Sequence, residues 1–113
     1  MMLMGVPSGN WKDKKFRMKK YKIIFSDRAL LDIEETVAYY NEQKAGLGKR
    51  FANEVHKTLN SIKKNPFYAA VRYEDIRCAV VSVFPYLIHY EIEIAMNSVR
   101  IVSVFNTFRK ELW

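Results

Sequence analysis

The side chains with the widest chemical scope in this chain are Arg72, Arg77 and His89, together with the terminal run Phe108-Arg109-Lys110-Glu111-Leu112-Trp113. A guanidinium can stabilise developing negative charge and an imidazole can move a proton, so the first three are parts from which a phosphate-handling site could be built. The terminal run reads differently. Arginine and large aromatics supply most of the anchors in protein interfaces, so Phe108, Arg109, Lys110 and Trp113 read as a binding tail. The competing reading is an ordinary terminus with Trp113 packed on the helices. His56 sits among Glu54 and Lys57 and reads as a surface residue. Cys78 stands alone, which excludes an internal disulfide and a cysteine-rich zinc site, and its apolar neighbours mark it as a small core residue. The sequence has no glycine-rich phosphate loop, no HExxH and no paired Cys or His at metal spacing, so neither a metal nor a cofactor is called for.

Something must position these groups. Tyr21–Phe25 is a β-branched and aromatic run that reads as a strand. Ser26 is a good helix N-cap, and Asp27 suits the positive helix end. Ala29, Ile33, Val37 and Tyr40 then recur at helical spacing and predict an amphipathic helix over 27–44, with Asp32, Glu34, Glu35 and Glu42 mainly on its other, solvated side. Gly46 and Gly48 interrupt it. Leu47, Phe51, Val55, Thr58, Leu59 and Ile62 predict a second helix over 47–64, stopped by Asn65-Pro66.

From residue 69 the period becomes two. Val71 and Tyr73 mark a short strand carrying Arg72, and Glu74-Asp75 a turn. Ile76, Cys78, Val80, Ser82 and Phe84 alternate with Arg77, Ala79, Val81 and Val83. Beyond Pro85, Tyr86, Ile88, Tyr90, Ile92 and Ile94 alternate with Leu87, His89, Glu91 and Glu93, which puts His89 on a half-exposed polar face. Val99, Ile101, Ser103 and Phe105 complete a last strand. The pattern predicts an α+β fold of order β-α-α-β-β-β(-β), a helix hairpin packed on an antiparallel sheet. Ile33, Val37, Phe51, Leu59, Val80, Ile88 and Ile101 are the expected core.

The length of 113 residues fits one domain, and a hydrophobic content of 50% supports a folded core. No apolar run reaches the length of a membrane helix, so the expected location is cytoplasmic. The net charge of +7 is uneven. Lys12, Lys14, Lys15, Arg17, Lys19 and Lys20, opposed only by Asp13, put most of it in the first twenty residues. The global basicity therefore overstates the case for nucleic acid. Residues 1–17 lack any periodic apolar face and read as a flexible basic extension, with Met18 the natural start and 18–113 the single domain. The alternative is a native basic arm.

Several segments together resemble the RelE/ParE family of toxins from type II toxin–antitoxin modules, in particular its ParE or plasmid-stabilisation branch. They are Phe25–Ile33, Tyr39-Tyr40, Gly46-Leu47-Gly48 with Phe51, Asn65-Pro66, Phe84-Pro85-Tyr86-Leu87-Ile88-His89-Tyr90, and Val104–Arg109 through Trp113. The resemblance implies a bacterial growth-inhibiting toxin bound to a cognate antitoxin in a hetero-oligomer. RelE-like members cut ribosome-bound mRNA; ParE-like members poison DNA gyrase. Ribosome-dependent members place an arginine near Leu87 and a proton-handling residue near Asn106 or Thr107, and this chain has neither. The expected activity is therefore binding to a protein target such as gyrase through Phe108, Arg109, Lys110, Trp113, Arg72 and Arg77. The alternatives are an mRNA endonuclease using Arg77 and His89, or a degenerate toxin that only binds antitoxin.

Overall fold

The computed structural model describes residues 21–107. The expected extension 1–17 and the tail residues Phe108, Arg109, Lys110 and Trp113 lie outside them. The described order is β1 (Lys22–Phe25), α1 (Asp27–Gln43), α2 (Leu47–Lys64), β2 (Val71–Tyr73), β3 (Ile76–Val80), β4 (Tyr86–Glu93), a single 3-10 turn (Ile94–Met96) and β5 (Ser98–Asn106). This is the predicted α+β arrangement.

Local chemistry accounts for the helix hairpin. The Ser26 hydroxyl oxygen accepts the Ala29 N–H at 3.0 Å and caps α1. Gly46, at φ +89°, supplies the left-handed turn between the helices. Gly48 lets them approach closely: a Cβ there would meet the Val37 carbonyl oxygen and lie 2.7 Å from the Asn41 side chain. The Asn41 Oδ1 also accepts the Gly48 N–H at 2.8 Å. Lys63 and Lys64 complement the negative end of α2, and Asn65-Pro66 ends it.

The sheet order is β1-β5-β4-β3-β2. It is mixed rather than wholly antiparallel, because β1 pairs with β5 in parallel. Parity explains this. The meander from β2 to β5 reverses the chain three times, and the helix hairpin returns it so that β2 runs opposite to β1. Once they are neighbours, they must run the same way.

The helices cover one sheet face. Phe51, Ile62, Ile88, Tyr90, Val99 and Ile101 are fully buried between the layers, while Ile33, Val37 and Leu59 pack at the margin of that core. The rings of Tyr40, Phe51, Phe84 and Tyr86 meet at centroid separations of 5.0–6.2 Å. Val80 departs from expectation: it is 66% exposed, while Ala79 and Val81 are buried. Residues 78–81 are all apolar, so alternation alone leaves the phase open. Pairing of Ala79 with the buried Ile88 decides it, and a one-residue shift reverses every side chain. β3 also ends sooner than the alternation suggests. Val81 N–H bonds back to the Tyr86 carbonyl at 2.9 Å, and Val83 takes φ +77°, a strained conformation for a β-branched residue.

β5 carries a second correction. His89 pairs with Ser103 but Tyr90 pairs with Ile101, which leaves Val102 as an extra residue in a bulge. Two α1-side groups take up the backbone there. The Ser26 hydroxyl donates to the Val102 carbonyl at 2.8 Å, and the Asp32 carboxylate accepts the Val104 N–H at 2.9 Å. Val99 and Ile101 therefore face the helices, and beyond the bulge Val104 does so. Ser103 and Phe105, expected on the same face as Ile101, turn to the opposite one.

Candidate functional site

β2, β3 and β4 carry the candidate residues among the described part, and register assigns each to a face. Cys78 pairs with His89 on the sheet face turned away from the helices. On that face the Tyr73 hydroxyl lies 3.1 Å and the Cys78 thiol 3.4 Å from His89 Nδ1. The Phe105 ring stands edge-on to the imidazole at 5.6 Å. Two proton donors converging on Nδ1 fit a neutral ring carrying its proton on Nε2.

His89 is 0% exposed, not half-exposed as its alternation with Glu91 and Glu93 predicts. The acidic neighbours misled that reading. At the level of His89 the face consists of Tyr73, Cys78, Leu87, Ser103 and Phe105, and only farther along β4 does it become charged. Burial, with the nearby Arg72 charge adding to it, lowers the His89 pKa to about 4. The imidazole is therefore neutral at pH 7. Burial likewise raises the Cys78 thiol, against a lowering by Arg72. Tyr73 is raised by burial first, then by Cys78 and Glu74. No member of the trio is ionised near neutrality, and the cluster acts as a packed polar junction joining β2 to β4. Arg72 stands beside it, exposed on the edge strand.

Arg77 goes elsewhere. It pairs with Tyr90, on the face that supports the loop following α2. Its Nη1 donates to the Ala69 carbonyl at 2.7 Å and to the Phe67 carbonyl at 3.4 Å, and the guanidinium lies 5.2 Å from the Phe67 ring centroid. The Tyr90 hydroxyl donates to the Pro66 carbonyl at 2.7 Å. Arg77 and Tyr90 thus tie residues 66–69 down from below. The structure brings Arg72 close to His89 and keeps Arg77 on the other side of the sheet. Residue 87 is a buried leucine and offers no cation.

Two features escaped the sequence. The partners of His89 come from strands 11 and 16 residues away and emerge only from register. A cleft of about 410 Å³ between α1 and the end of β5 is lined by Asp32, Glu35, Thr36, Tyr86 and Asn106. It gathers Asp32 and Glu35, which the sequence reads as the solvated side of a helix; Asp32 is instead buried, because its carboxylate serves the β5 backbone. The Asp32 carboxylate is engaged there with Val104 and, at 3.8 Å, with Arg28. Among the described residues no group of three His, Cys, Asp or Glu side chains could hold a metal ion, and no helix is long and apolar enough to cross a membrane.

Comparison with solved structures finds the same fold in toxins. The chromosomal ParDE system of P. aeruginosa matches with a TM-score of 0.67 at 9% identity, covering 77% of this chain and 96% of that one. The isolated RelE toxin of E. coli matches with a TM-score of 0.60 at 19% identity, covering 81% and 89%. The toxin–antitoxin complex RelBE of E. coli gives 0.60 at 20%, covering 79% and 99%. At these identities the likeness is one of fold. Curated protein sequences gave no match. The family profile described as the ParE toxin of the type II toxin–antitoxin system, parDE, matches residues 23–110. That span runs from β1 past the end of β5, and the chain belongs to the ParE toxin family of type II toxin–antitoxin systems.

Proposed function

We propose that this chain is a growth-arresting toxin of the bacterial cytoplasm, held inactive in a hetero-oligomer by a cognate antitoxin. Released, it acts by binding a protein target, with DNA gyrase the first candidate, rather than by cutting RNA. The observation that carries this reading is the separation of Arg77 from His89. RNA cleavage needs a base, an acid and cationic donors converging on one phosphate. Here the guanidinium of Arg77 is occupied with loop carbonyls on one sheet face, and the imidazole of His89 is buried on the other. Leu87 and Asn106 stand where nuclease members of the wider family carry functional side chains. A protein-binding toxin needs none of that convergence; it needs exposed anchors. Arg72, exposed on an edge strand, has that character, and the composition of Phe108-Arg109-Lys110 with Trp113 has it too.

Induction in a bacterial host, followed by mapping of transcript ends and plasmid supercoiling, tests the reading. Growth arrest with intact transcripts and altered supercoiling is expected, and deletion of residues 108–113 should abolish the arrest while antitoxin binding survives. Purified protein that cleaves ribosome-bound mRNA, with Arg77→Ala abolishing the cut and the tail deletion leaving it, overturns the proposal.

A further inference from the structure

The loop that Arg77 and Tyr90 hold down forms one wall of a groove. Phe67, 47% exposed, and Val71, 48% exposed, line it on one side, and Ile94, 68% exposed, on the other. The enclosed space is about 250 Å³, room for a large side chain and not for a folded element. Its wall is tied down by hydrogen bonds of the chain itself. Besides the Arg77 and Tyr90 bonds, Asn65 Oδ1 accepts the Phe67 N–H at 3.3 Å and the Asn65 carbonyl accepts the Tyr68 N–H at 3.1 Å. A preformed apolar slot spares its partner the cost of ordering the loop.

Asp75, Glu91 and Glu93 border the groove, and Arg77 also lines it, its guanidinium turned to the Ala69 and Phe67 carbonyls, so acidic groups outnumber basic ones there. Glu91 is matched by Arg100 at 3.1 Å, whereas Asp75 and Glu93 form no ion pair among the described residues. We propose that the groove receives a segment of the toxin's protein target in which an aliphatic or aromatic anchor is flanked by lysine or arginine. The anchor fills the space between Phe67, Val71 and Ile94, and the flanking cations meet Asp75 and Glu93. Charge complementarity at the rim selects this occupant. Asp75 and Glu93 attract a basic segment and repel an acidic one, and the antitoxin as occupant is an outcome of the test below. The proposal rests on the reading of the chain as a toxin with a protein target.

The full chain is induced in a bacterial host as wild type, as the double variant Asp75→Lys/Glu93→Lys, and as Ile94→Asp. Survival, transcript ends and neutralisation by the co-expressed antitoxin are followed, with thermal unfolding of each purified protein. All substituted positions are exposed, so both variants should unfold within about 3 °C of wild type. Each should weaken growth arrest by about tenfold or more while antitoxin binding stays at the wild-type level. Undiminished arrest by either folded variant overturns the groove proposal and leaves the protein-target reading standing. Lost neutralisation with arrest retained assigns the groove to the antitoxin and overturns it too. Cleaved transcripts, or no arrest, with the wild-type chain overturn the underlying reading instead, so the two failures are told apart.

Discussion

Acidification should expose the cost of the buried His89. The ring is fully enclosed between Tyr73, Cys78 and Phe105, and Arg72 adds an unfavourable positive charge nearby. Its pKa is lowered from 6.5 to about 4. In the unfolded chain the same ring titrates near its ordinary value, so between those limits the unfolded state binds more protons and stability falls as pH falls. The stability at issue is fully present above pH 6.5 and lost by about pH 4. At about 1.4 kcal/mol for each pH unit, the loss approaches 3 kcal/mol. With a urea dependence of about 1.5 kcal/mol per molar for a domain of this size, the unfolding midpoint should drop by about 2 M between pH 7.5 and 4 from this group alone. Carboxylates titrate in part of the same window, so the diagnostic is a difference. His89→Gln cannot ionise and keeps an acceptor for Tyr73, and its stability should fall less steeply by about 3 kcal/mol over that range. Parallel profiles for wild type and His89→Gln, within about 0.5 kcal/mol, would refute the claim that the ring is buried and neutral.

Substitutions at two further positions probe how the helices grip each other and the sheet. Gly48→Ala drives a methyl into the Val37 carbonyl and the Asn41 side chain, and should cost about 2 kcal/mol and lower Tm by about 10 °C in a calorimetric scan. Asp32→Ala leaves the buried Val104 N–H without its acceptor and should cost about 1–3 kcal/mol by urea unfolding; Asp32→Asn keeps an acceptor oxygen and should recover most of that.

The helix hairpin was legible in the residues because its determinants are local. The 3.6-residue recurrence from Ala29 to Tyr40 and from Leu47 to Ile62, the Ser26 cap, the glycines at 46 and 48 and the Asn65-Pro66 stop all act within a few residues of themselves, and α1 ends one residue before its expected limit. The alternation within β4 was legible for the same reason: Ile88 and Tyr90 face the helices together, and His89 faces away. The direction of β1 against β5, the exposure of Val80 and the turn of Ser103 and Phe105 away from Ile101 were not. Each depends on a partner that the chain reaches only after folding. The bulge at Val102 is held by Ser26 and Asp32, 76 and 72 residues from the groups they bind. The candidate site divides along the same line. Arg77 and His89 are visible as residue types on two strands, and their alternation is readable strand by strand. Which face of one strand matches which face of the next is set by the pairing of Cys78 with His89, and that pairing put the two candidates on opposite sides of the sheet. A side chain's face can be read from a local period; its neighbours across a sheet follow from register, which long-range burial and hydrogen bonding decide.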